Sequence, residues 1–269
     1  MADTPQTHPD LHQVEATWSP YHRVSPGMRA RMRRWWNGQG FNPDVASKLR
    51  YEMDMLLLRT RCRLGRAYRA KVRGLRSRRN LLVHLGCGNA LFDGWINLDC
   101  YPPDPKPGIE ILTLDMRRGL PFADGSVAAL FSEHFLEHLP RETVRDVILP
   151  EIRRVLAPGG SVRIGVPDGE YFVDQYVASR KGAAEALYDE NRGSVTPMTM
   201  LNDIGHGHGH YFVYDFETLG GMMRAVGFVD VRRARPGDTR VPQFSGRDRE
   251  DAWRRAMTLY VEAAAPGAS

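Results

Sequence analysis

The chain has 269 residues, a hydrophobic content of 42% and a formal net charge of +5. This length and composition suffice for one large core with an appendage. Three scattered cysteines, Cys62, Cys87 and Cys100, are too few for a disulfide framework or a CxxC metal site. Because no signal peptide is evident and no apolar run approaches the roughly 20 residues that span a bilayer, we expect a cytoplasmic protein.

The basic charge is concentrated near the N-terminus. The first 80 residues hold 17 Lys and Arg against 6 Asp and Glu, whereas the remainder holds 20 against 26. We therefore interpret residues 1–79 as a basic N-terminal helical arm. Three roles stay open for the arm: a cap that docks on the rest of the chain, a surface for anionic membranes or glycans, or a nucleic-acid contact in which a tryptophan stacks on bases.

Two helices are predicted in the arm. A short basic helix at residues 26–38 ends near the pair Trp35 and Trp36. A second helix begins at an Asp44 cap and runs to about Arg79, because its apolar residues recur mostly three or four positions apart.

The most informative segment is LLVHLGCGN at residues 81–89, followed by a second apolar run that ends in Asp99. It predicts a strand, a Gly-x-Gly turn and a strand ending in an acid, so that the backbone approaches a ligand whose ribose hydroxyls the carboxylate binds. The dinucleotide fingerprint is excluded, because Leu91 stands where a third glycine belongs and Asp99 follows Gly88 by only 11 residues. This pattern favours a nucleoside ligand without phosphates.

Strands and helices alternate through the remainder of the chain. Strands are predicted at residues 81–85, 95–99, 109–114, 126–132, 161–166, 228–234 and 257–263. Such alternation predicts a parallel sheet with right-handed crossovers and a ligand site at the carboxyl ends of the strands. Gly86, Asp99, Asp115 and Ser132 all fall at those ends, which indicates one shared site.

Two helices are predicted between these strands. One covers residues 141–156, with a kink or restart at Pro150 and an end at Pro158-Gly159-Gly160. The other starts behind Asp215 and stops at Gly227.

Five segments, in order along residues 81–167, resemble the class I S-adenosylmethionine-dependent methyltransferases. They are VHLGCG, Asp99, Asp115-Met116, LPFADGSVAALFSEHFLEHL and VLAPGGSVRIGVP. The resemblance implies an α/β fold with a doubly wound, mostly parallel seven-stranded sheet and a reversed last strand. It places the methyltransferase domain at residues 80–264, leaving 265–269 as a tail.

The resemblance also implies the cofactor, S-adenosylmethionine, with S-adenosylhomocysteine as product. The implied cofactor contacts are the backbone of the turn, the ribose acid, the adenine-contacting pair and a serine beside the methyl group: Gly86, Cys87, Gly88, Asp99, Asp115, Met116 and Ser132. One feature departs from the family, because residues 89–95 are too few for the usual first helix. Trp95 is interpreted as filling the gap.

Residues 168–214 form a long insertion after the fifth strand, and such insertions usually build the substrate site or its lid. It contains the alternating run His206, Gly207, His208, Gly209, His210, which in an extended segment would point three imidazoles to one side. Three interpretations stay open: a divalent metal site such as Zn²⁺ or Fe²⁺ at His206, His208 and His210; one histidine, His210, acting as a base or substrate contact; or a flexible lid without chemistry.

The expected reaction is O-methylation of a small-molecule or sugar hydroxyl, including a glycan or lipid-linked precursor, with histidine-assisted deprotonation. His134, beside the expected methyl position, is a candidate base, although it could instead pack over the cofactor or the neighbouring helix. Two alternatives remain: an RNA or protein methyltransferase guided by the basic arm, and an inactive regulatory protein that binds S-adenosylmethionine or S-adenosylhomocysteine.

Overall fold

A computed structural model describes residues 31, 38, 40, 43–182, 196–249 and 251–267. The predicted helix at 26–38, with its two tryptophans, therefore lies almost entirely outside the described residues. The chain divides into two compact units, Met1–Thr60 and Arg61–Ser269. Within the part of the chain that is described, no helix is both long enough and apolar enough to cross a bilayer.

The long helix predicted in the arm is two helices, α1 (Pro43–Leu64) and α2 (Arg66–Ser77). Gly65 separates them in an extended conformation with ψ at 114°. A β-carbon at Gly65 would lie 2.7 Å from the carbonyl oxygen of Arg61, so the break sits where only glycine fits. The predicted cap is also wrong, because helix α1 begins before Asp44 and includes it.

Seven strands form one sheet in the larger unit, close to their predicted positions. They are β1 (Leu81–Leu85), β2 (Ile96–Asp99), β3 (Glu110–Thr113), β4 (Val127–Glu133), β5 (Leu156–Pro167), β6 (Val229–Ala234) and β7 (Thr258–Ala264). Their order is β3-β2-β1-β4-β5-β7-β6, and β7 runs antiparallel to both of its neighbours. The predicted doubly wound, mostly parallel sheet with a reversed last strand is confirmed.

The strand register aligns the predicted site. Leu85, the last residue of β1, lies opposite Leu98 of β2 and Ser132 of β4. The glycine turn after Leu85, the acid after Leu98 and the serine of β4 therefore share one level at the carboxyl edge of the sheet.

The helix between β4 and β5 runs through α3 (Arg141–Thr143), a π-helical turn (Val144–Ile148) and α4 (Leu149–Val155). The predicted irregularity at Pro150 is confirmed, because the π-helical turn ends at Ile148 and the proline occupies the first turn of α4. Pro158-Gly159-Gly160 does not end this helix, which stops at Val155. Those residues instead lie in a bulge of β5, between its pairings with Val127 and Ala129 of β4.

The remaining helices are α5 (Gly169–Arg180), α6 (Pro197–His206), α7 (Phe216–Ala225) and α8 (Ala252–Met257). Helix α7 begins as predicted, with the Asp215 carboxylate accepting a hydrogen bond from the backbone N–H of Thr218. Helices α5 and α6 give the insertion an apolar cluster of its own, formed by Phe172, Met200 and Ile204 with Met257 of α8. The described part of the insertion is therefore folded around a small core.

The short connection between β1 and β2 contains turns and no helix across residues 86–95. An aromatic cluster fills the space: Trp95, only 2% exposed, packs with Phe131 and Phe244. Phe92 joins them and stacks on His84 with ring centroids 4.1 Å apart. The interpretation of Trp95 as filling the gap left by the missing helix agrees with this packing.

Candidate active site

The glycine turn after β1 has a backbone that only glycine adopts easily. Gly86 and Gly88 have φ values of 69° and 47°, in the left-handed region. The Gly86 N–H donates to the carbonyl oxygen of Leu98 over 2.9 Å, which ties the turn to β2. A β-carbon at Gly86 would lie 2.4 Å from the ring of Phe135, so this position excludes any side chain. The turn thus presents bare backbone, which fits the close approach expected of a nucleoside cofactor.

Asp99 is held at the end of β2 and is 3% exposed. Its Oδ2 accepts a hydrogen bond from the Gly88 N–H over 2.9 Å, and its Oδ1 accepts one from the Tyr101 N–H over 2.8 Å. Burial raises the pKa of Asp99, although these backbone hydrogen bonds act in the opposite direction. The glycine turn and the acid are therefore one hydrogen-bonded unit.

The predicted adenine-contacting pair, Asp115 and Met116, has contacts of its own, separate from the bond between the turn and Asp99. The Asp115 carboxylate caps a short 3₁₀ turn and pairs with the Arg117 side chain, with Nε 2.9 Å from Oδ1 and Nη2 3.0 Å from Oδ2. Met116 is buried in the main core. Contact of either residue with adenine stays a prediction, and an adenine edge at Asp115 would share the carboxylate with Arg117.

Two further predicted contacts are buried: Cys87 within the turn and Ser132 in β4. The Cys87 N–H donates to the Leu98 carbonyl oxygen over 3.0 Å, and burial raises the pKa of its free thiol. Ser132 has no exposed surface, and its Oγ has no hydrogen-bond partner in the part of the chain described. Because buried hydroxyls are normally paired, Ser132 can accept or donate one bond to a bound molecule.

His134, the first candidate base, follows β4 with a φ of 51°. Its Nδ1 lies 3.1 Å from Oε1 of Glu137, and its Nε2 lies 3.0 Å from Oγ1 of Thr258. Both ring nitrogens therefore already have partners, and a base role would require one of these bonds to open. The catalytic role of His134 stays a prediction, and so does the alternative in which it packs over the cofactor or the neighbouring helix.

A second group of side chains lies immediately after His134. We call Glu137, His138 and His210 the Glu137 cluster, because one donor atom from each lies within 4.8 Å of the other two. The rings of His138 and His210 meet edge to face with centroids 4.8 Å apart. The Tyr211 N–H donates to the carbonyl oxygen of Glu137 over 2.7 Å, which fastens the insertion to the loop after β4.

Burial dominates the electrostatics of this cluster. It lowers the pKa of His138 to about 4 and also lowers that of His210, which favours neutral imidazoles at neutral pH. Burial alone would raise the pKa of Glu137, but the hydrogen bond from His134 and the neighbouring imidazoles bring it below its ordinary value. The cluster thus combines a buried carboxylate with neutral nitrogen donors.

The extended His-Gly segment predicted from the sequence is wrong. His206 is the last residue of α6, and His208 has a φ of 55° within a 3₁₀ turn, because the glycines let the chain coil here. Of the three histidines, only His210 joins a candidate metal group among the described residues. Glu137 and His138 are not among the site residues predicted from the sequence. The repeated Glu-His pair, at 133–134 and 137–138, is the sequence signal that could have identified them.

The strands and the turn that build this site match a family of known proteins. The sequence family described as "Methyltransferase domain" matches residues 83–164, which run from β1 to β5. No curated protein matches the chain.

Several solved structures are similar. A SAM-dependent methyltransferase from Archaeoglobus fulgidus has 13% identity and a TM-score of 0.38, covering 78% of this chain and 94% of that chain. An S-adenosylmethionine-dependent methyltransferase from Mesorhizobium loti has 19% identity and a TM-score of 0.42, covering 74% and 98%. Phosphoethanolamine N-methyltransferase 2 from Haemonchus contortus, in complex with S-adenosyl-L-methionine, has 12% identity and a TM-score of 0.41, covering 75% and 53%.

The family match, the motifs along residues 81–167 and the strand order agree with one another. The bare glycine turn bonded to a buried acid fits the cofactor that this family uses. The chain therefore carries an S-adenosylmethionine-dependent methyltransferase domain at residues 83–164.

Proposed function

We propose that this enzyme methylates an oxygen atom, the hydroxyl of a small molecule or sugar, including a glycan or lipid-linked precursor. The observation that carries the proposal is the Glu137 cluster, in which Glu137 and His138, in the loop that leaves the carboxyl end of β4, meet His210 of the insertion. This is the edge at which Gly86, Asp99 and Ser132 lie.

The chemistry explains why such a cluster favours an oxygen acceptor. When bound, S-adenosylmethionine supplies a methyl group on a sulfonium sulfur, and its transfer to the acceptor leaves S-adenosylhomocysteine. A hydroxyl must also lose its proton, and a positioned base contributes typically 10²–10⁴-fold to that step. His210 is the predicted base, because its buried imidazole is neutral at neutral pH and can accept the proton.

Buried hydroxyl groups without a hydrogen-bond partner support a polar acceptor. Within the described residues, Ser132 Oγ, Tyr171 Oη and Tyr214 Oη are buried atoms without a hydrogen-bond partner. Tyr214 also feels the charge of Glu137, which adds to the effect of burial in raising its pKa. Buried polar atoms are rarely left unsatisfied, so a hydroxyl-rich ligand offers them partners that an apolar one does not.

The test uses purified enzyme and S-adenosylmethionine with a ¹³C-labelled methyl group, incubated with separated small-molecule, glycan, lipid, protein and nucleic-acid pools from cells. The carbon chemical shift of the labelled product distinguishes O-methyl from N-methyl and C-methyl groups. We expect an O-methyl signal in the small-molecule, glycan or lipid pool. A signal confined to RNA or protein would contradict the proposal, and cofactor binding without any product would favour the inactive regulatory alternative.

We also infer that the arm contacts an anionic membrane surface, which favours a lipid-linked acceptor. Helix α1 carries six apolar side chains that are at least 49% exposed: Val45, Leu49, Met53, Leu56, Leu57 and Leu64. At helical spacing they fall on one face, with basic residues on both sides of it. Residues 43–77 hold ten Lys and Arg against three Asp and Glu. An apolar stripe flanked by cations is typical of an interfacial helix.

Vesicle binding tests this second role. We expect the enzyme to sediment with phosphatidylserine vesicles but not with pure phosphatidylcholine vesicles, and expect Leu49→Glu with Leu56→Glu to abolish sedimentation. Ser47→Glu, which by helical spacing lies on the opposite face of α1, is the matched control. Tighter binding to RNA than to the anionic vesicles would instead support a nucleic-acid role for the arm.

A further inference from the structure

The Glu137 cluster has the composition of a metal site. It offers one carboxylate and two imidazoles, the donor set of several catalytic zinc sites and of the non-haem iron enzymes. Its donor atoms lie within 4.8 Å of one another, whereas ligands about 2.1 Å from a tetrahedral ion lie roughly 3.4 Å apart. Binding one ion therefore requires the donor atoms to move closer together.

Glu137 supplies an independent sign that something binds here. Its side chain is 1% exposed, and its Oε2 has no hydrogen-bond partner in the described part of the chain. The other oxygen, Oε1, is already held by Nδ1 of His134. A buried carboxylate oxygen without a partner is costly, and a cation is the ligand that best satisfies it.

Each donor is also held in place by a neighbour. The Nδ1 of His210 lies 2.8 Å from the carbonyl oxygen of Ile204, so it carries a proton and leaves Nε2 as the free donor. The ring of His138 forms a hydrogen bond with the backbone of Gly209. Glu137 is held by His134. Ligands of a metal ion are commonly oriented in this way by a second partner, typically a backbone carbonyl for a histidine.

We propose that Glu137, His138 and His210 bind one divalent transition-metal ion, such as Zn²⁺, and that its remaining coordination position binds the acceptor. Three protein ligands with an open position are typical of a catalytic rather than a structural zinc site. The donor set replaces the predicted set of His206, His208 and His210, of which only His210 remains.

The role of the ion rests on the proposed function, although its binding does not. In the metal-loaded enzyme His210 is a ligand and no longer the base. A hydroxyl coordinated to a divalent cation is more acidic, so it gives up its proton to water near neutral pH. The resulting oxygen anion forms the new bond to the methyl carbon as the carbon–sulfur bond breaks, leaving neutral S-adenosylhomocysteine. Charge and atoms balance, because the sulfonium receives the electron pair of the broken bond.

Metal binding is tested on the full chain after removal of metals with a chelator. Co²⁺ and Zn²⁺ are titrated separately, with the visible absorption of Co²⁺ and the heat of Zn²⁺ binding as readouts. We expect one ion per chain, and expect Glu137→Gln and His210→Ala to weaken binding at least 100-fold. His208→Ala is the matched control, since His208 lies beside His210 but outside the donor set, and its affinity should stay within threefold. Thermal unfolding of each variant shows whether it is folded.

Glu137→Gln keeps the shape of the side chain and an oxygen that accepts from His134, so it separates loss of the metal from loss of the fold. X-ray absorption of the zinc-loaded enzyme gives a second measurement, with two imidazole nitrogens and one carboxylate oxygen as the expected protein ligands. Unchanged affinity in Glu137→Gln and His210→Ala, or a different ligand set, would overturn the site. Metal binding with methylation of nitrogen or carbon would keep the site and refute the proposed function. Oxygen methylation at full rate by the chelated enzyme would keep the proposed function and refute the role of the ion in the reaction.

Discussion

The two halves of the active site are built in different ways. The cofactor half is local: Gly86, Gly88 and the end of β2 lie within 14 residues of one another. The N–H groups of the two glycines donate to the Leu98 carbonyl oxygen and to the Asp99 carboxylate. The proposed acceptor half is made of side chains, and it brings Glu137 together with His210, 73 residues later in the chain. Local constraints fix the first half, whereas the second depends on how the insertion packs.

The largest effect is expected at His210, in the proposed acceptor half. We expect His210→Ala to lower kcat by about 10²–10⁴-fold at saturating cofactor, because either a general base or a metal ligand is lost. His208→Ala should keep kcat within about threefold. Single-turnover methyl transfer measures both, and full turnover in His210→Ala would show that it is neither a base nor a required ligand.

The next prediction concerns the packing beneath the cofactor half. Trp95 is buried where the family's first helix is missing, so Trp95→Ala should lower the free energy of unfolding by about 3–5 kcal/mol. Tyr101→Ala, at a residue that is 38% exposed, should cost less than about 1 kcal/mol. Urea unfolding distinguishes them. Equal losses would mean that the aromatic cluster does not replace the helix.

This contrast explains which features the sequence could predict. The seven strands and the glycine turn follow from apolar runs and from glycines that need a left-handed backbone, both of which are local signals. The break at Gly65 was missed because the apolar spacing continues across it. The conformation of the His-Gly run could not be predicted, because alternating histidine and glycine fits an extended segment as well as a turn. The end of α6 at His206 and the 3₁₀ turn after it direct His210 alone toward Glu137.

A comparison of Gly86 with Gly94 separates the cost of a positive φ from the cost of a steric clash. Gly86 and Gly94 both have positive φ, at 69° and 74°, so alanine costs about 1–2 kcal/mol at either position. Only at Gly86 does the new methyl group meet Phe135, at 2.4 Å, while Gly94 faces open space. Gly86→Ala should therefore lose about 1–3 kcal/mol more stability than Gly94→Ala. It should also bind S-adenosylhomocysteine at least tenfold more weakly, as measured by calorimetry.

The smallest effect is the pH dependence of cofactor binding. If ribose hydroxyls bind the Asp99 carboxylate, affinity for S-adenosylhomocysteine falls as that carboxylate gains a proton. Because burial raises the pKa of Asp99, this fall should begin at a higher pH than for an ordinary aspartate and be complete below its folded pKa. In the cofactor-free enzyme, the raised pKa means that ionised Asp99 destabilises the folded state. Over the pH range in which Asp99 alone titrates, the free energy of unfolding should therefore rise as the pH falls.

Asp99→Asn removes this titration. We expect about tenfold weaker binding at neutral pH and a flat affinity across the acidic range, since the amide is neutral throughout. Asp93→Asn, in the connection that precedes β2 and carrying the same change of charge, controls for the general effect of removing an acid. A variant in which affinity still falls with pH would assign the titration to another group and separate Asp99 from the ribose. A flat profile would show that one buried carboxylate both accepts the hydrogen bond of the glycine turn and binds the ligand. That double role explains why so short a stretch of sequence identifies the cofactor.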